Sequence, residues 1–149
     1  MERTLILVKP DGVQRALVGE IIARFERRGL QIVALKFVSM SNALAEEHYQ
    51  EHVGKPFFRG LVDYITSCPI VAMVVEGPKA IEVCRATIGA TDPLAATPGS
   101  IRGDYGATVA RNLVHGSDGP QAAAREIDLF FNTSELHGYE RSLTRWITE

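Results

Sequence analysis

Between Thr4 and Lys9 the chain reads TLILVK, an almost unbroken apolar run that stops at Pro10-Asp11-Gly12. A run this short, closed by turn formers, predicts a buried strand with Lys9 at its end and a turn after it. From Val18 to Arg28 the spacing changes. Ile21, Ile22 and Phe25 share one helical face, and Gly29 stands where a helix C-terminus is capped. Leu30 to Val38 (LQIVALKFV) is rich in β-branched and aromatic residues and reads as a second strand; Ser41 is placed to cap a short helix over Leu44 to Glu51.

Pro56 can open a further helix whose apolar positions Phe58, Leu61, Val62 and Ile65 recur at helical spacing until Ser67-Cys68-Pro69, leaving Phe57 off the stripe. Ile70 to Glu76 (IVAMVVE) is a fully apolar strand, and after Gly77 and Pro78 a helix carries Ile81, Val83, Cys84 and Ile88 up to Gly89. Ala90 to Asn112 holds Pro93, Pro98, Gly99, Gly103 and Gly106, too many breakers for one regular element, and a loop this long is usually functional or disordered. A fourth strand is expected within Asn112 to Asp118 and a last helix over Gln121 to Phe131. Strands and helices in this order fit an α+β sandwich of the split βαβ, ferredoxin-like kind, with a four-stranded antiparallel sheet and a long Pro/Gly-rich loop.

The length of 149 residues suits one domain over the whole chain, residues 1–149, and 46% hydrophobic content supplies its core. Sixteen basic against eighteen acidic side chains leave a net charge of −2, so no overall basic field gathers nucleic acid or anionic lipid. The apolar run before Lys9 is too short for a signal peptide or membrane span, and Cys68 and Cys84 have no partner motif. A cytoplasmic protein with reduced thiols is the expectation. Asn132-Thr133-Ser134 then has no glycosylation role.

The segment Asn112-Leu113-Val114-His115-Gly116-Ser117-Asp118 sets one imidazole between an apolar run and a helix start. Leu113 and Val114 give it strand character, Gly116 lets the backbone turn beside the ring, and Asp118 with Gln121 fits a capping box. The helix that follows would direct free N–H groups toward arriving phosphate. Lys9, Arg85 and Arg102 are cations where loops meet regular structure, and glycines flank Arg102. Neither common glycine-rich phosphate loop is present. His48-Tyr49-Gln50-Glu51-His52 matches the inverted zinc-protease pattern, but its helix soon meets Gly54 and Pro56, and an exposed polar face is the expected reading. His137 is expected at the surface.

NLVHGSD (112–118), KPDG (9–12), KPFF (55–58), GATDP (89–93) and PGSIRGD (98–104) resemble, in order, the motifs of nucleoside diphosphate kinases, and the similarity runs from Arg3 to Glu149. The resemblance implies transfer of the γ-phosphate of a nucleoside triphosphate such as ATP to any nucleoside diphosphate, through a phosphohistidine at His115 Nδ1. It casts Glu126 and Ser117 as holders of the ring and Tyr49 as a catalytic neighbour of the phosphate. Lys9, Arg85, Thr91 and Arg102 would surround the phosphates, Lys9 and Asn112 would bind the sugar, and Phe57 would stack on the base with Val109 opposite. Mg2+ would be held by the nucleotide phosphates with no protein ligand of its own, Asp118 touching its water shell.

A few positions depart from the pattern. Gly119-Pro120 replaces more polar residues, Ala110 a frequent glycine, and Lys55 a common arginine. The loop near Pro93 and the tail Trp146-Ile147-Thr148-Glu149 resemble hexameric members, which implies a homohexamer. The competing readings are a phosphorelay module, which needs no base platform, and a nucleic-acid-binding domain, which net acidity disfavours.

Overall fold

The computed structural model describes residues 1–149. Its sheet contains β1 (Glu2–Val8), β2 (Gln31–Val38), β3 (Ile70–Gly77) and β4 (Val114–Gly116) in the order β2-β3-β1-β4, every neighbouring pair antiparallel. The helices are α1 (Pro10–Gln14), α2 (Val18–Arg27), α3 (Asn42–His48), α4 (Phe58–Ile65), α5 (Ala80–Ile88), α6 (Ile101–Tyr105) and α7 (Pro120–Phe130). The path from β1 to β2 leaves a slot that β3 fills, and the path from β3 to β4 leaves one that β1 fills. This is the ferredoxin-like α+β arrangement.

The apolar runs of β1 and β3 follow from burial on both faces. Leu5, Leu7, Ala72 and Val74 pack under α3, α4 and α7, with Ala45, Val62, Ile65, Ile127 and Phe130. Ile6, Val8, Val71, Met73 and Val75 pack on the opposite side with Ile21, Phe25, Cys84, Ile88 and Ile101 of α2, α5 and α6. The sheet is therefore the middle of three layers. β2, at the sheet edge, keeps an alternating pattern and shows a register irregularity between Ile32 and Ala34.

Several local expectations are corrected. Pro10-Asp11-Gly12 opens α1, because Pro at the first helical position loses no hydrogen bond there. Likewise α7 starts at Pro120, so Gly119 is its N-cap and the expected Asp118 to Gln121 capping box does not form. Ser41 does cap α3, accepting from the Leu44 amide, but the helix ends at His48 and a 3-10 turn spans Gln50–His52. α4 and α5 begin two residues after their prolines, at Phe58 and Ala80. Within the long loop, Pro93–Ala95 forms a 3-10 turn and Ile101–Tyr105 forms α6, capped by Ser100, with Ile101 and Arg102 buried.

Candidate active site

The central segment is less uniformly extended than its composition suggests. β4 contributes only Val114–Gly116, with His115 opposite Leu7 of β1. Leu113 precedes it at φ +76°, a conformation costly for a residue with a branched side chain. Both flanks hold it: its N–H donates to Asp11 Oδ2 at 3.0 Å, and its carbonyl accepts from the Lys9 amide at 2.9 Å. The Tyr64 hydroxyl donates to Asp11 Oδ1, and the Arg111 guanidinium lies 4.4 Å from the Tyr64 ring centre. Gly116 is extended in β4 and packs closely, since a Cβ there would lie 2.7 Å from Ile88 Cδ1 and that side chain would have to shift. The turn expected at Gly116 is replaced by the left-handed step at Leu113.

His115 keeps 26% of its side chain exposed, while Glu126 from α7 keeps 7%. His115 Nε2 lies 2.8 Å from Glu126 Oε1, and Ser117 Oγ donates to the same oxygen at 2.7 Å. A carboxylate can only accept, so this contact assigns the ring proton to Nε2 and leaves the Nδ1 lone pair free. Burial alone would lift the Glu126 carboxyl, but the hydrogen bond and charge of His115, then the Ser117 hydroxyl, outweigh it and hold the group below its ordinary value.

A cationic cluster adjoins the ring. Arg102 is buried, donating from Nε to the Asn112 carbonyl at 3.2 Å, from Nη1 to Gly89 at 3.2 Å and from Nη2 to Val114 at 2.7 Å. Arg85 donates to the Gly116 carbonyl at 3.2 Å. The carbonyls on both sides of His115 are thus held by guanidinium groups. Lys9 Nζ donates to Asn112 Oδ1 at 2.6 Å, and Asn112 Nδ2 donates to the Thr91 carbonyl at 3.0 Å. Burial, then the Arg102 charge, brings Lys9 down to about 8 against the upward pull of Asp11. Burial, then the Arg85 charge, brings Arg102 down to about 10. After burial, like charge is the next cause of both shifts, and an arriving polyanion would relieve that repulsion.

The aromatic side is open. Phe57 is 51% exposed and Val109 53%. Phe57 lines a cleft of about 630 Å³ with Leu61, Tyr64, Ala110 and Arg111, and none of the cations around His115 reaches into it. Its ring is 5.2 Å from that of His52, and Lys55 Nζ is 5.7 Å from its centre. Tyr49 is half-buried, its phenol pushed up to about 12 by burial and then by the Glu126 charge. Asp118 is exposed and shares a groove of about 340 Å³ with Arg85.

Expected on an exposed polar face, His48 is instead buried, its ring 4.9 Å from that of His115 and 5.5 Å from Phe130. Leu44 and Ala45 carry the signal: they precede His48 at helical spacing on an inward face. Burial, then the His115 charge, brings the His48 imidazole down to about 3. Asp11 announces its role only by adjoining Lys9 and Pro10, and Tyr64 has no sequence signal. His137 is exposed, as expected, and its amide donates to the Val33 carbonyl at 2.8 Å. Cys68 and Cys84 are both unpaired.

The family profile described as "Nucleoside diphosphate kinase" matches residues 2–136. A nucleoside diphosphate kinase of Carboxydothermus hydrogenoformans is 61% identical over 149 residues, covering 100% of both chains. One from Archaeoglobus fulgidus is 59% identical, covering 100% of this chain and 99% of the relative. A solved nucleoside diphosphate kinase of Halobacterium salinarum, in complex with CDP, superposes with a TM-score of 0.97 at 51% identity, covering 99% of each chain. With an imidazole oriented by a buried carboxylate beside a cationic cluster, and with this likeness over its whole length, the chain belongs to the nucleoside diphosphate kinase family and is a phosphotransferase.

Proposed function

We propose that the chain works as one domain in which His115 carries the phosphoryl group between nucleotides in a two-step, ping-pong exchange. In the first step the Nδ1 lone pair attacks the γ-phosphorus of ATP. An N–P bond forms, the bond from phosphorus to the β-bridging oxygen breaks, and ADP departs with that electron pair. In the second step a terminal oxygen of a nucleoside diphosphate attacks the same phosphorus and the N–P electrons return to the ring. Similar phosphoanhydrides are broken and made, so one site serves both halves.

The observation that carries this reading is the contact of His115 Nε2 with Glu126 Oε1 at 2.8 Å, which holds the tautomer with a free Nδ1. Ser117 fixes that carboxylate oxygen, and Tyr49 stays a protonated donor near the ring pair. Arg85, Arg102, Lys9 and Thr91 are assigned to the phosphates, where catalysis is mostly positioning and charge stabilisation. Lys9 and Asn112 are assigned to the sugar. Phe57 and Val109 are assigned to the base, whose π face any nucleobase offers.

Magnesium fits this donor set as an ion arriving on the nucleotide: the carboxylate Glu126 lies among imidazole nitrogens that magnesium disfavours, and Asp118 is the exposed carboxylate that could meet the ion's water shell. When bound it neutralises charge on the β and γ phosphates. A homohexamer is part of the proposal, supported by the exposed Leu35 and Phe37 on the edge strand β2 and by the exposed Trp146 and Ile147. Light scattering on the purified protein measures that assembly. The cytoplasm is the proposed location, and no helix is long and apolar enough to cross a membrane.

The test is to mix the protein with γ-labelled ATP and magnesium, then add GDP, CDP or UDP. The expected result is an acid-labile, alkali-stable label that discharges to each diphosphate and is absent from His115→Asn. Undiminished nucleoside triphosphate formation by that variant refutes the reading.

A further inference from the structure

His48, His115 and Glu126 meet in a way the phosphoryl exchange does not require. Each offers one donor atom, and the three donor atoms lie within 4.8 Å of one another. His48 is more than nine-tenths buried, and its Nδ1 is enclosed without any hydrogen-bond partner. Ring nitrogens in such surroundings are normally satisfied. The His115 side chain stays partly exposed, so one member of the trio meets solvent.

Two imidazoles and a carboxylate with one open position form a donor set suited to a borderline transition-metal ion and ill suited to magnesium, which prefers an all-oxygen shell. Tetrahedral zinc, with bonds near 2.0–2.1 Å, would hold its ligand atoms roughly 3.3 Å apart. The contact of His115 Nε2 with Glu126 Oε1 at 2.8 Å would then open slightly, and His48 would swing inward. We infer that His48, His115 and Glu126 form an inhibitory site for a divalent zinc-class ion, which shuts off the kinase by occupying the imidazole that accepts phosphate.

The inhibition follows from the electron pairs of one ring. A neutral imidazole has a single in-plane lone pair. A metal on Nε2 displaces that nitrogen's proton to Nδ1, so Nδ1 no longer has a pair to attack phosphorus; a metal on Nδ1 takes the attacking pair itself. Either coordination blocks phosphoryl uptake while magnesium and ATP are present in excess. This inference rests on the reading of His115 as the phosphate carrier.

The experiment titrates the full-length protein with Zn2+ and, as a spectroscopic probe, Co2+, in parallel with label uptake from γ-labelled ATP. One ion should bind per chain, Co2+ should show the visible absorption of a four-coordinate nitrogen and oxygen site, and label uptake should fall as Zn2+ fills the site and return with a chelator. His48→Gln should weaken both binding and inhibition by about tenfold or more, each scored against that variant's own metal-free rate. Crystals of the unsubstituted protein soaked in Zn2+ should give an anomalous peak between the three side chains, an observation that needs no variant.

Absence of that peak, or a His48→Gln protein as zinc-sensitive as its parent, overturns the inference while labelling of His115 by ATP still stands. Zinc that binds the trio without slowing uptake overturns the inhibitory role. A label that persists in His115→Asn overturns the carrier reading instead, so the two failures are distinguishable.

Discussion

At the imidazole end of the site most of the proposed groups are held by hydrogen bonds: His115 and Ser117 to Glu126, Arg102 to three carbonyls, Arg85 to the Gly116 carbonyl, and Lys9 to Asn112. At the aromatic end Phe57 and Val109 stand half out of the fold. The contrast matches what each end has to do. Moving a phosphoryl group needs a lone pair held in line with phosphorus, where small displacements cost large factors in rate. A platform that accepts any base needs a π surface and no directional bonds. On the proposed reading, directional hydrogen bonds gather where bonds change, and exposed apolar surface meets the part of the substrate that varies.

The largest break in this contrast should come from the ring itself. His115→Asn is expected to lower nucleoside triphosphate formation by at least about 10⁴-fold with every base tested, because the variant loses the covalent step. Steady-state assays with excess GDP or CDP measure it, and a residual rate near that of the parent would refute the carrier. The variant should remain folded, since Glu126 keeps Ser117 as a partner.

Next comes the carboxylate. Glu126→Gln keeps the shape but turns an obligate acceptor into a group that can also donate, so the tautomer with a free Nδ1 is no longer enforced. A fall in kcat of about 100-fold, with KM little changed, is expected from loss of orientation and of charge near the developing imidazolium. An equal effect on KM would mean that Glu126 supports nucleotide binding instead.

The open end should answer in the other parameter. Phe57→Ala removes a stacking surface, worth about 1–3 kcal/mol per base, and should raise KM about tenfold or more while kcat is nearly kept. The increase should be alike for ADP, GDP and CDP. A strongly base-dependent increase would show directional recognition at this end and sink the contrast as drawn.

These two ends were unequally legible in the sequence. The strands β1 and β3, the amphipathic α2 and the motif residues could be placed because local composition and spacing determine them. Lys9, Arg85, Arg102 and Glu126 gather around His115 through strand pairing and helix packing, which no local pattern encodes; the resemblance alone linked them in advance. Leu113 illustrates the limit. Its side chain argues for a strand, but its conformation is imposed by Asp11 and by the Lys9 amide, about a hundred positions earlier in the chain. His48 illustrates a different failure. Its polar neighbours suggested an exposed face, whereas Leu44 and Ala45 put it on the buried one. The unbroken apolar runs of β1 and β3 do signal cover on both faces, but not which helices supply it, since that depends on packing between distant parts of the chain.

The smallest expected effect sharpens the contrast by pH. Lys9 is brought down to about 8 by burial and by the Arg102 charge, so raising the pH through that value removes a cation from the phosphate end and leaves the aromatic end untouched. KM for ADP should therefore rise a few-fold between pH 7.5 and about 9, with Arg102, brought down only to about 10, limiting the loss. Bound phosphate should draw the lysine proton back, placing the matching inflection in kcat at higher pH than in kcat/KM. Stability should respond with the opposite sign. Between about 8 and the ordinary lysine value of 10.5 the unfolded chain still binds a proton that the folded chain has released. This group therefore makes folding more favourable as pH rises, by at most about 1.4 kcal/mol per pH unit. Lys9→Met should flatten both profiles together, and a KM inflection that survives in that variant would assign the titration to another group.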